Sequence, residues 1–522
     1  MKKVLFYLLL FICSFSTATF AQSYRRVSEK EALYIAQKQF TGKDVDYSTP
    51  SGIILENDTI PLSIRQADVA NRLSMRYPFR SNNADEVREQ PVYLNVTTTA
   101  AGQLAEKVGD DINNVDSLIV NGPINDTDFY TLWSGTFYGR LSVINLENAE
   151  IINGVIPEWA FCRGKEQVID GFIYTIGLRR IIFPEGLKVI GRCAFNFAED
   201  LEYINIPTSL QRIERSAFEN CLRLETNPLV FPEGFEKLGE RAFMSCPGLK
   251  GSVVLPSTIK EIGALAFYSS KITSINFPEG LEEIGNKAFF DCRFKEVVIS
   301  NPNIIWSGES QFGWNLKLEK ISLPEEMTYI PPRFLEFCIE LKDFRIPSDV
   351  KVIKSGAFNE CYNLQKLELP AGLEEIEDQA FSECNALEEI VFPASLKTLG
   401  AESCTNWTNI KRIYSMAAEP PVCKVNMNSG ATPFYPGTPN NIPVYVPTGT
   451  AEKYRNAKGW DYFTNFIETD DFPTSTINDI NIEQQESKQG IYDLSGRKVT
   501  TTEKGKVYII NGKKVITDNN SH

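Results

Sequence analysis

Histidine is almost absent from this 522-residue chain: the single one is His522, the last residue. Catalysis by Ser/His/Asp or Cys/His groups, and metal sites built on imidazole, need an ordered ring whose pKa lies near neutrality. A terminal residue is poorly placed to supply such a ring. No phosphate loop, zinc spacing or calcium loop is present either. We therefore expect no enzymatic activity, no cofactor and no metal.

Basic residues are also in short supply. Lysine and arginine number 53 against 67 aspartates and glutamates, which gives a formal net charge of −14. A nucleic-acid ligand would need a basic face that neutralises phosphates, so this balance disfavours one. Long apolar runs are lacking beyond the first 21 residues, and we expect no transmembrane span. The composition of the whole chain, 43% hydrophobic and 23% charged, is typical of a globular protein.

Residues 1–21 have the pattern of a secretory signal peptide. Lys2 and Lys3 precede an apolar run at 4–12, and the small residue Ala21 stands directly before Gln22. A membrane anchor is the alternative, but the apolar run is well short of the ~20 residues that span a bilayer. The sequence thus predicts an exported protein that is extracellular or lies on the outer-membrane surface.

A unit of about 23 residues recurs ten times in the middle of the chain. The clearest copy, residues 364–386, reads LQKLELPAGLEEIEDQAFSECNA. Its first apolar segment ends at Pro370, because proline lacks the N–H that a further ladder bond requires. The copies begin at Leu178, Leu201, Leu224, Leu249, Ile272, Phe294, Leu318, Leu341, Leu364 and Leu387.

One such unit cannot bury its own apolar residues, so successive units must stack. Parallel strands about 4.8 Å apart then form a continuous ladder. The predicted fold is an α/β-type repeat solenoid with one short parallel strand per repeat, capped at both ends. One copy, 294–317, is irregular because Ser300 replaces the proline, and it carries Trp306 and Trp314.

The pattern L-x-x-I-x-[IFL]-P-x-x-L-x-x-I-x-x-x-A-F-x-x-C resembles the BspA-like class of bacterial leucine-rich repeats. These repeats are found on secreted and surface proteins of anaerobic gram-negative bacteria. The resemblance implies a binding role, in adhesion or in interaction with a host or partner protein. An extracellular or host protein, such as a matrix protein, would be the ligand.

The two ends of the chain resemble other known segments. Residues 27–40 are similar to the start of the prodomain of streptopain-like cysteine proteases, which implies an alternative role as a regulator or inhibitor of such a protease. A simple amphipathic helix is the other interpretation, because Ser28 and Glu31 form a capping box. Residues 488–522 contain the turn signals Ser495-Gly496 and Asn511-Gly512, each typical of a hairpin. They resemble the C-terminal sorting domain of the type IX secretion route.

These patterns predict seven regions along the chain. They are a signal peptide (1–21), a small N-terminal domain (22–90), an N-terminal cap with irregular first repeats (91–177), the solenoid (178–415), a C-terminal cap (416–470), a linker (471–487) and a small C-terminal β-hairpin module (488–522).

Ten cysteines follow the leader, and six of them share one repeat position, three residues after the phenylalanine. A buried thiol at that position behaves as a small apolar filler. We expect most of the ten to be free and buried. Disulfides between consecutive layers are the alternative, since an exported chain permits them. The six are Cys221, Cys246, Cys292, Cys338, Cys361 and Cys384.

Strand residues that alternate with the buried ones should line one broad outward surface. They carry charges of both signs and few aromatic rings, which favours recognition of a protein surface. Solvation of the sheet is the alternative for each single residue. The candidate binding residues are Arg179, Arg180, Tyr203, Asn205, Asn276, Lys320, Lys342, Arg345, Lys366, Glu368, Lys411, Arg412 and Tyr414.

Overall fold

The structure is a computed structural model that describes residues 91–162 and 176–473, with isolated strands before, between and after these ranges. The chain forms two compact units, unit 1 (Met1–Phe289) and unit 2 (Phe290–His522). The predicted signal peptide lies outside the described residues. So do most of the N-terminal domain at 22–90, including the protease-prodomain-like segment, and most of the linker at 471–487.

Unit 1 contains nineteen strands and two α-helices in its described part, with 3₁₀ turns at Gly109–Asn113 and Ile152–Gly154. The helices are α1 (Leu104–Val108) and α2 (Asp126–Phe137). The strands are β1 (Tyr24–Val27), β2 (Gly52–Leu55), β3 (Tyr93–Thr97), β4 (Ser117–Ile124), β5 (Val143–Asn145), β6 (Ala149–Ile151), β7 (Val155–Ile156), β8 (Val168–Ile169), β9 (Phe172–Ile173), β10 (Arg180–Ile182), β11 (Val189–Ile190), β12 (Tyr203–Ile204), β13 (Arg212–Ile213), β14 (Leu229–Val230), β15 (Lys237–Leu238), β16 (Lys250–Val254), β17 (Glu261–Ile262), β18 (Lys271–Ile275) and β19 (Glu283–Ile284).

Unit 2 contains eighteen strands and one α-helix in its described part, α3 (Ala451–Asn456). The strands are β20 (Glu296–Val298), β21 (Ile305–Trp306), β22 (Lys320–Ser322), β23 (Tyr329–Ile330), β24 (Asp343–Arg345), β25 (Val352–Ile353), β26 (Lys366–Glu368), β27 (Glu375–Ile376), β28 (Glu389–Phe392), β29 (Thr398–Leu399), β30 (Arg412–Ser415), β31 (Val422–Cys423), β32 (Pro443–Val446), β33 (Asn465–Glu468), β34 (Ile491–Tyr492), β35 (Lys498–Val499), β36 (Val507–Ile510) and β37 (Lys513–Ile516).

Each repeat supplies two short strands to two different parallel sheets, as a β-solenoid requires. In unit 1 one sheet has the order β12-β10-β5-β4-β3, and a second runs β19-β17-β15-β13-β11-β7. Ile181 of β10 is in register with Ile204 of β12, one repeat later, and both are fully buried. The segments that join the strands at 176–418 are tight turns, and this range contains no helix. The predicted repeat solenoid is confirmed, with turns where an α/β solenoid would carry helices.

The turn between the two sheets carries the Ala-Phe pair, and its phenylalanines stack inside unit 1. Ring centroids are 5.0 Å apart for Phe161 and Phe195, 5.1 Å for Phe195 and Phe218, and 5.1 Å for Phe218 and Phe243. The rings of the last two pairs are almost parallel, at 3°. Phe218 is fully buried. One large aromatic ring per layer thus gives unit 1 a continuous core.

The layers approach closely where a glycine follows the second strand. A Cβ on Gly263 would lie 2.5 Å from the backbone nitrogen of Glu240 in the preceding layer. Real Cβ atoms do not approach this closely, so a side chain here would push two layers apart. The glycine that follows the isoleucine in several copies of the repeat is therefore required by the stacking itself.

Unit 2 repeats the same arrangement. Its sheets have the orders β20-β22, β24-β26, β23-β25-β27-β29-β31 and β28-β30-β32-β33. The last of these includes β32 and β33 from the segment predicted to be the C-terminal cap. Strands β34 to β37 form a separate antiparallel sheet, in which β36 and β37 pair so that Ile510 lies opposite Lys513. This sheet is the small C-terminal β module predicted from the sequence.

All ten cysteines after the leader are buried. The thiol of Cys246 donates a hydrogen bond to the Phe218 carbonyl one layer away, at 3.0 Å, and Cys361 donates to the Leu335 carbonyl at 3.2 Å. At the same position in a later layer, the indole N–H of Trp407 donates to the Phe381 carbonyl at 2.8 Å. Burial raises the pKa of the Cys361 thiol to about 12. The shared cysteine position is thus a donor that ties neighbouring layers together, beyond the filler role expected.

Candidate functional site

The strand faces are the exposed sides of the first strand of each repeat. Side chains alternate along a strand, so that Ile181 is buried while Arg180 and Ile182 lie on the other face. We define the unit 1 strand face as the outward residues of the sheet formed by β3, β4, β5, β10 and β12; the separate sheet β14-β16-β18 of unit 1 is not part of it. Its members are Tyr93, Asn95, Ser117, Ile119, Val143, Asn145, Arg180, Ile182, Tyr203 and Asn205.

We define the unit 2 strand face by the corresponding positions of β20, β22, β24, β26, β28, β30, β32 and β33. Its members are Glu296, Val298, Lys320, Ser322, Asp343, Arg345, Lys366, Glu368, Glu389, Val391, Arg412, Tyr414, Pro443, Tyr445, Asn465 and Ile467. Half of these sixteen residues are charged, whereas the unit 1 strand face has one charged residue in ten.

Arg180 is that one charged residue, and it is held by an aromatic ring. Its guanidinium carbon lies 4.3 Å from the ring centroid of Tyr203, the residue directly opposite on the next strand. Such a cation–π contact contributes about 0.5–1 kcal/mol at an exposed site. Among the described residues, no carboxylate pairs with Arg180. The neighbouring Arg179 differs, because it donates to both carboxylate oxygens of Glu202, at 2.8 and 3.0 Å.

Asn205 and Asn276 serve the stack itself. The side-chain oxygen of Asn205 accepts from the Phe183 N–H at 2.7 Å, and its amide nitrogen donates to the Phe183 carbonyl at 3.0 Å. Asn276 makes the same two bonds to Leu255, at 2.7 and 2.8 Å. Each side-chain amide therefore makes the pair of hydrogen bonds that the backbone of its layer would otherwise make. Because their amide groups already make these bonds, the side chains of Asn205 and Asn276, both predicted binding residues, are less available to a ligand.

Most predicted cations of unit 2 are neutralised by a carboxylate in the adjacent layer. Lys320 lies 3.1 Å from Glu296, and Lys411 lies 2.7 Å from Glu388. Arg412 donates to Glu389, the residue opposite it in the sheet, and this hydrogen bond raises the pKa of Arg412. The positions predicted for ligand binding thus form ion pairs within the solenoid.

Arg345 also forms an ion pair within unit 2, and residues of opposite charge face one another on the two strands around it. It donates to Glu325, and this bond lowers the pKa of the Glu325 carboxyl. Arg345 lies opposite Glu368, and Lys366 lies opposite Asp343, in the two-stranded sheet of β24 and β26. Lys342 is exposed and precedes β24, outside the strand face as defined.

Tyr414 is part of an aromatic cluster that the sequence did not indicate. Its ring stacks on Tyr445 with centroids 4.6 Å apart and planes 16° apart, and Phe472 approaches it edge-on at 6.4 Å. Tyr445 and Ile467 continue the same outward row, and Ile467 is 37% exposed. The signal was present as the V-Y-V-P pattern at 444–447, which matches the repeat strand but was interpreted as part of a cap.

Sequence reasoning also missed seven of the ten residues of the unit 1 strand face, all but Arg180, Tyr203 and Asn205. Tyr93, Ser117, Val143 and Asn145 come from segments that were assigned to the cap because their spacing is irregular. In the structure β3 pairs with β4, β4 with β5, and β5 with β10, and all three pairings are parallel. Tyr93 on the edge strand is 73% exposed. The alternation of polar and apolar residues at 93–97 was the available signal.

Two features of the described residues concern metal binding and membrane insertion. Within residues 91–162 and 176–473, no group of three or more histidine, cysteine or acidic side chains is placed to hold a metal ion. In the described part of the chain, no helix is both long and apolar enough to cross a bilayer.

Comparison with known families identifies the repeats. The family model described as the BspA type leucine rich repeat region matches six times, over residues 170–296, 236–364 and 307–418. Residues 170–418 are BspA-type leucine-rich repeats. Proteins with repeats of this type are typically bacterial surface proteins. A search of curated protein sequences found no match to the chain.

Solved structures of bacterial leucine-rich repeat proteins are similar to this chain in fold. A protein from Bacteroides ovatus is 23% identical over 54% of this chain and 64% of its own, with a TM-score of 0.39. One from Eubacterium ventriosum is 20% identical over 46% and 61%, with a TM-score of 0.32. A leucine rich cell surface protein from Faecalibacterium prausnitzii is 21% identical over 52% and 82%, with a TM-score of 0.28. The chain thus covers less than two thirds of the first two proteins.

Proposed function

We propose that this protein is an exported binding protein of the bacterial surface, acting in adhesion or host interaction, and that it holds a protein ligand by the unit 1 strand face. BspA-type repeats over 170–418 support a surface role. The choice of face depends on one observation: nine of its ten residues are uncharged, in a chain with a net charge of −14. The centres of protein interfaces are depleted in charge and enriched in tyrosine and arginine.

The unit 2 strand face is less suited to this role. Its cations lie beside carboxylates of adjacent layers, as in Lys320 with Glu296 and Arg412 with Glu389. A ligand would have to break these pairs or leave them buried, and it would gain little in return. These charges therefore favour solvation of the sheet, while the unit 1 strand face offers rings, amides and apolar groups.

A pair of matched valine variants tests the proposal. Val143 and Val391 are half-buried residues on the outward sides of β5 and β28. We expect V143Q, which replaces an apolar side chain by a polar uncharged one, to weaken binding to a purified extracellular-matrix protein at least tenfold, about 1.4 kcal/mol, and V391Q to leave it unchanged. Biolayer interferometry of residues 22–522 against a panel of matrix proteins measures both.

The controls for this experiment are structural. Hydrogen exchange of each variant establishes that its layers remain protected, so that a loss of affinity is not a loss of folding. Loss of binding in V391Q with V143Q unaffected would assign the site to unit 2 instead. Absence of binding to every matrix protein tested would contradict this class of ligand.

Export is the other part of the proposal. The basic residues Lys2 and Lys3 followed by a short apolar run support cleavage before Gln22. N-terminal sequencing of protein from the cell surface and the culture medium should give a chain that begins at Gln22. Recovery of full-length protein from the cytoplasm alone would contradict export.

A further inference from the structure

We propose that Arg180, held over the ring of Tyr203, is the anchor for an aspartate or glutamate side chain of the protein ligand. This inference rests on the proposed function, since it names the chemical group that the unit 1 strand face recognises. Three observations carry it: the geometry of the guanidinium, the lack of an internal partner, and the composition of its surroundings.

The geometry prepares Arg180 for a planar acceptor. The ring of Tyr203 covers one side of the guanidinium at 4.3 Å, and the side chain of Arg180 is exposed. Stacking on a ring leaves the N–H groups in the guanidinium plane free to donate, and a carboxylate accepts two of them at once. Because the ring restricts the side chain before binding, less conformational entropy is lost when the ligand arrives.

Arg180 also lacks the partner that comparable arginines have. Arg179 is held by Glu202 through both carboxylate oxygens, and Arg412 of unit 2 is held by Glu389. No residue of the unit 1 strand face is acidic. The described residues thus leave one oriented cation uncompensated, in a surface that does not repel a carboxylate.

The groups around Arg180 strengthen a hydrogen bond made there. Val143 lies opposite it on β5 and Tyr203 lies opposite it on β12, so Arg180 stands between an apolar and an aromatic residue in the sheet. A ligand seated on this face would exclude water from the pair, and charge-assisted hydrogen bonds are stronger when they are desolvated. A peptide carboxylate fits this site better than a bulkier anion, because the neighbouring strands present amides and rings for the rest of the chain.

A display experiment tests the inference without knowledge of the natural ligand. Random 12-residue peptides are selected on immobilised residues 22–522, and the peptides that the uncharged variant V143Q fails to bind are retained. We expect these peptides to be enriched in aspartate or glutamate. R180Q should bind them at least tenfold more weakly than the wild-type protein. R412Q, at the corresponding strand position of unit 2, should bind them equally well.

A double-mutant cycle then isolates the pair. Replacement of the essential acidic residue of a selected peptide by its amide should weaken binding to the wild-type protein tenfold and to R180Q hardly at all. R180K should recover little, because lysine lacks the planar fork. Y203L should cost less than R180Q, since it removes the support and keeps the cation.

The outcomes separate this inference from the proposed function. Peptides that require Val143 but contain no acidic residue, or that R180Q binds equally well, would overturn the carboxylate anchor and leave the unit 1 strand face as the binding site. Peptides sensitive to V391Q alone would overturn both. Binding of a uronic-acid oligosaccharide that depends on Arg180, with no peptide selected, would replace a protein ligand by a glycan and overturn the inference.

Discussion

The two strand faces use the same backbone pattern for opposite surface chemistry. In unit 2 successive layers present Glu296 opposite Lys320, Asp343 opposite Lys366 and Glu389 opposite Arg412. In unit 1 the corresponding rows hold tyrosine, asparagine, serine and valine around a single arginine. A repeat therefore dictates where a side chain points but leaves its chemistry open. Charges that alternate between layers compensate one another, and their number alone does not mark a binding site.

The interiors of the two units differ as well. The phenylalanine of the Ala-Phe pair is present in every layer of unit 1 from Phe161 to Phe289, with centroid separations between 5.0 and 6.0 Å. In unit 2 the same position is held by Leu335 and Cys404 in two layers, next to the stacked pair Phe358 and Phe381. Unit 1 thus has the continuous aromatic core, and unit 2 has an interrupted one.

The largest expected effect tests this difference in the core. Phe218 is fully buried between two parallel rings, so F218A should destabilise the layers of unit 1 by about 3–5 kcal/mol through lost burial and the cavity left behind. F218L should cost about 1 kcal/mol, because Leu335 fills the same position in unit 2. Hydrogen exchange of peptides from 176–289, followed through a urea series, measures the local free energy of opening. Equal costs for the two variants would contradict the importance of the ring stack.

A second prediction concerns the asparagine side chains that bond to the backbone of the preceding layer, which we find in unit 1. N205V removes both hydrogen bonds to Phe183 and should destabilise its layer by about 1–2 kcal/mol. The matched variant of unit 2 is S322V. There the backbone carbonyl of Ser322 accepts from the Ile299 N–H at 2.9 Å, so its side chain is not needed and the change should stay below about 0.5 kcal/mol. Hydrogen exchange at 176–205 and 299–322 compares them. Similar values would show that the amide of Asn205 is dispensable.

Much of this molecule could be predicted from its sequence, because the repeat carries the signal many times. The strand that ends at Glu368, shortly before Pro370, the buried pair of Leu373 and Ile376, and the turn with Phe381 follow from apolar spacing and the chemistry of proline. The buried cysteines followed from the same periodicity.

The binding surface was harder to predict, for a physical reason. Whether an outward residue such as Asn205 or Arg412 is available depends on its neighbour in the next layer, about 23 residues away. Spacing along one strand does not reveal that neighbour's chemistry. The irregular strands at Tyr93–Thr97 and Ser117–Ile124 were missed as part of the surface because their register became visible only in the sheet.

The pH dependence of stability should differ between two carboxyl groups, one in each unit. Burial raises the pKa of Glu219 in unit 1, whereas the hydrogen bond from Arg345 lowers the pKa of Glu325 in unit 2. A raised pKa means that Glu219 contributes stability below its unfolded pKa of about 4.3, which is lost as pH rises through the folded value. E219Q should therefore stabilise unit 1 at pH 7 and make little difference at pH 4.

Glu325 follows the opposite sign. Its lowered pKa contributes stability above the unfolded pKa, and this is lost as pH falls through the folded value. E325Q should therefore weaken unit 2 slightly at pH 7 and have no effect near pH 2. Urea-dependent hydrogen exchange at both pH extremes compares the variants. A stabilising effect of E325Q at neutral pH, or a destabilising one of E219Q, would reverse the assigned causes.

The smallest expected effect tests whether the opposite charges on the unit 2 strand face compensate one another. Arg412 and Glu389 lie opposite one another on β30 and β28. The side chain of Arg412 is 51% exposed and that of Glu389 is 35% exposed. R412E places two carboxylates side by side and should cost about 0.5 kcal/mol. The swapped double variant, E389R with R412E, should recover most of that loss because the attraction depends on the pair and not on its direction. Added salt should shrink the difference, since exposed charges are screened. If the swap fails to recover stability, these charges act singly towards solvent, and the contrast between the two faces is one of composition alone.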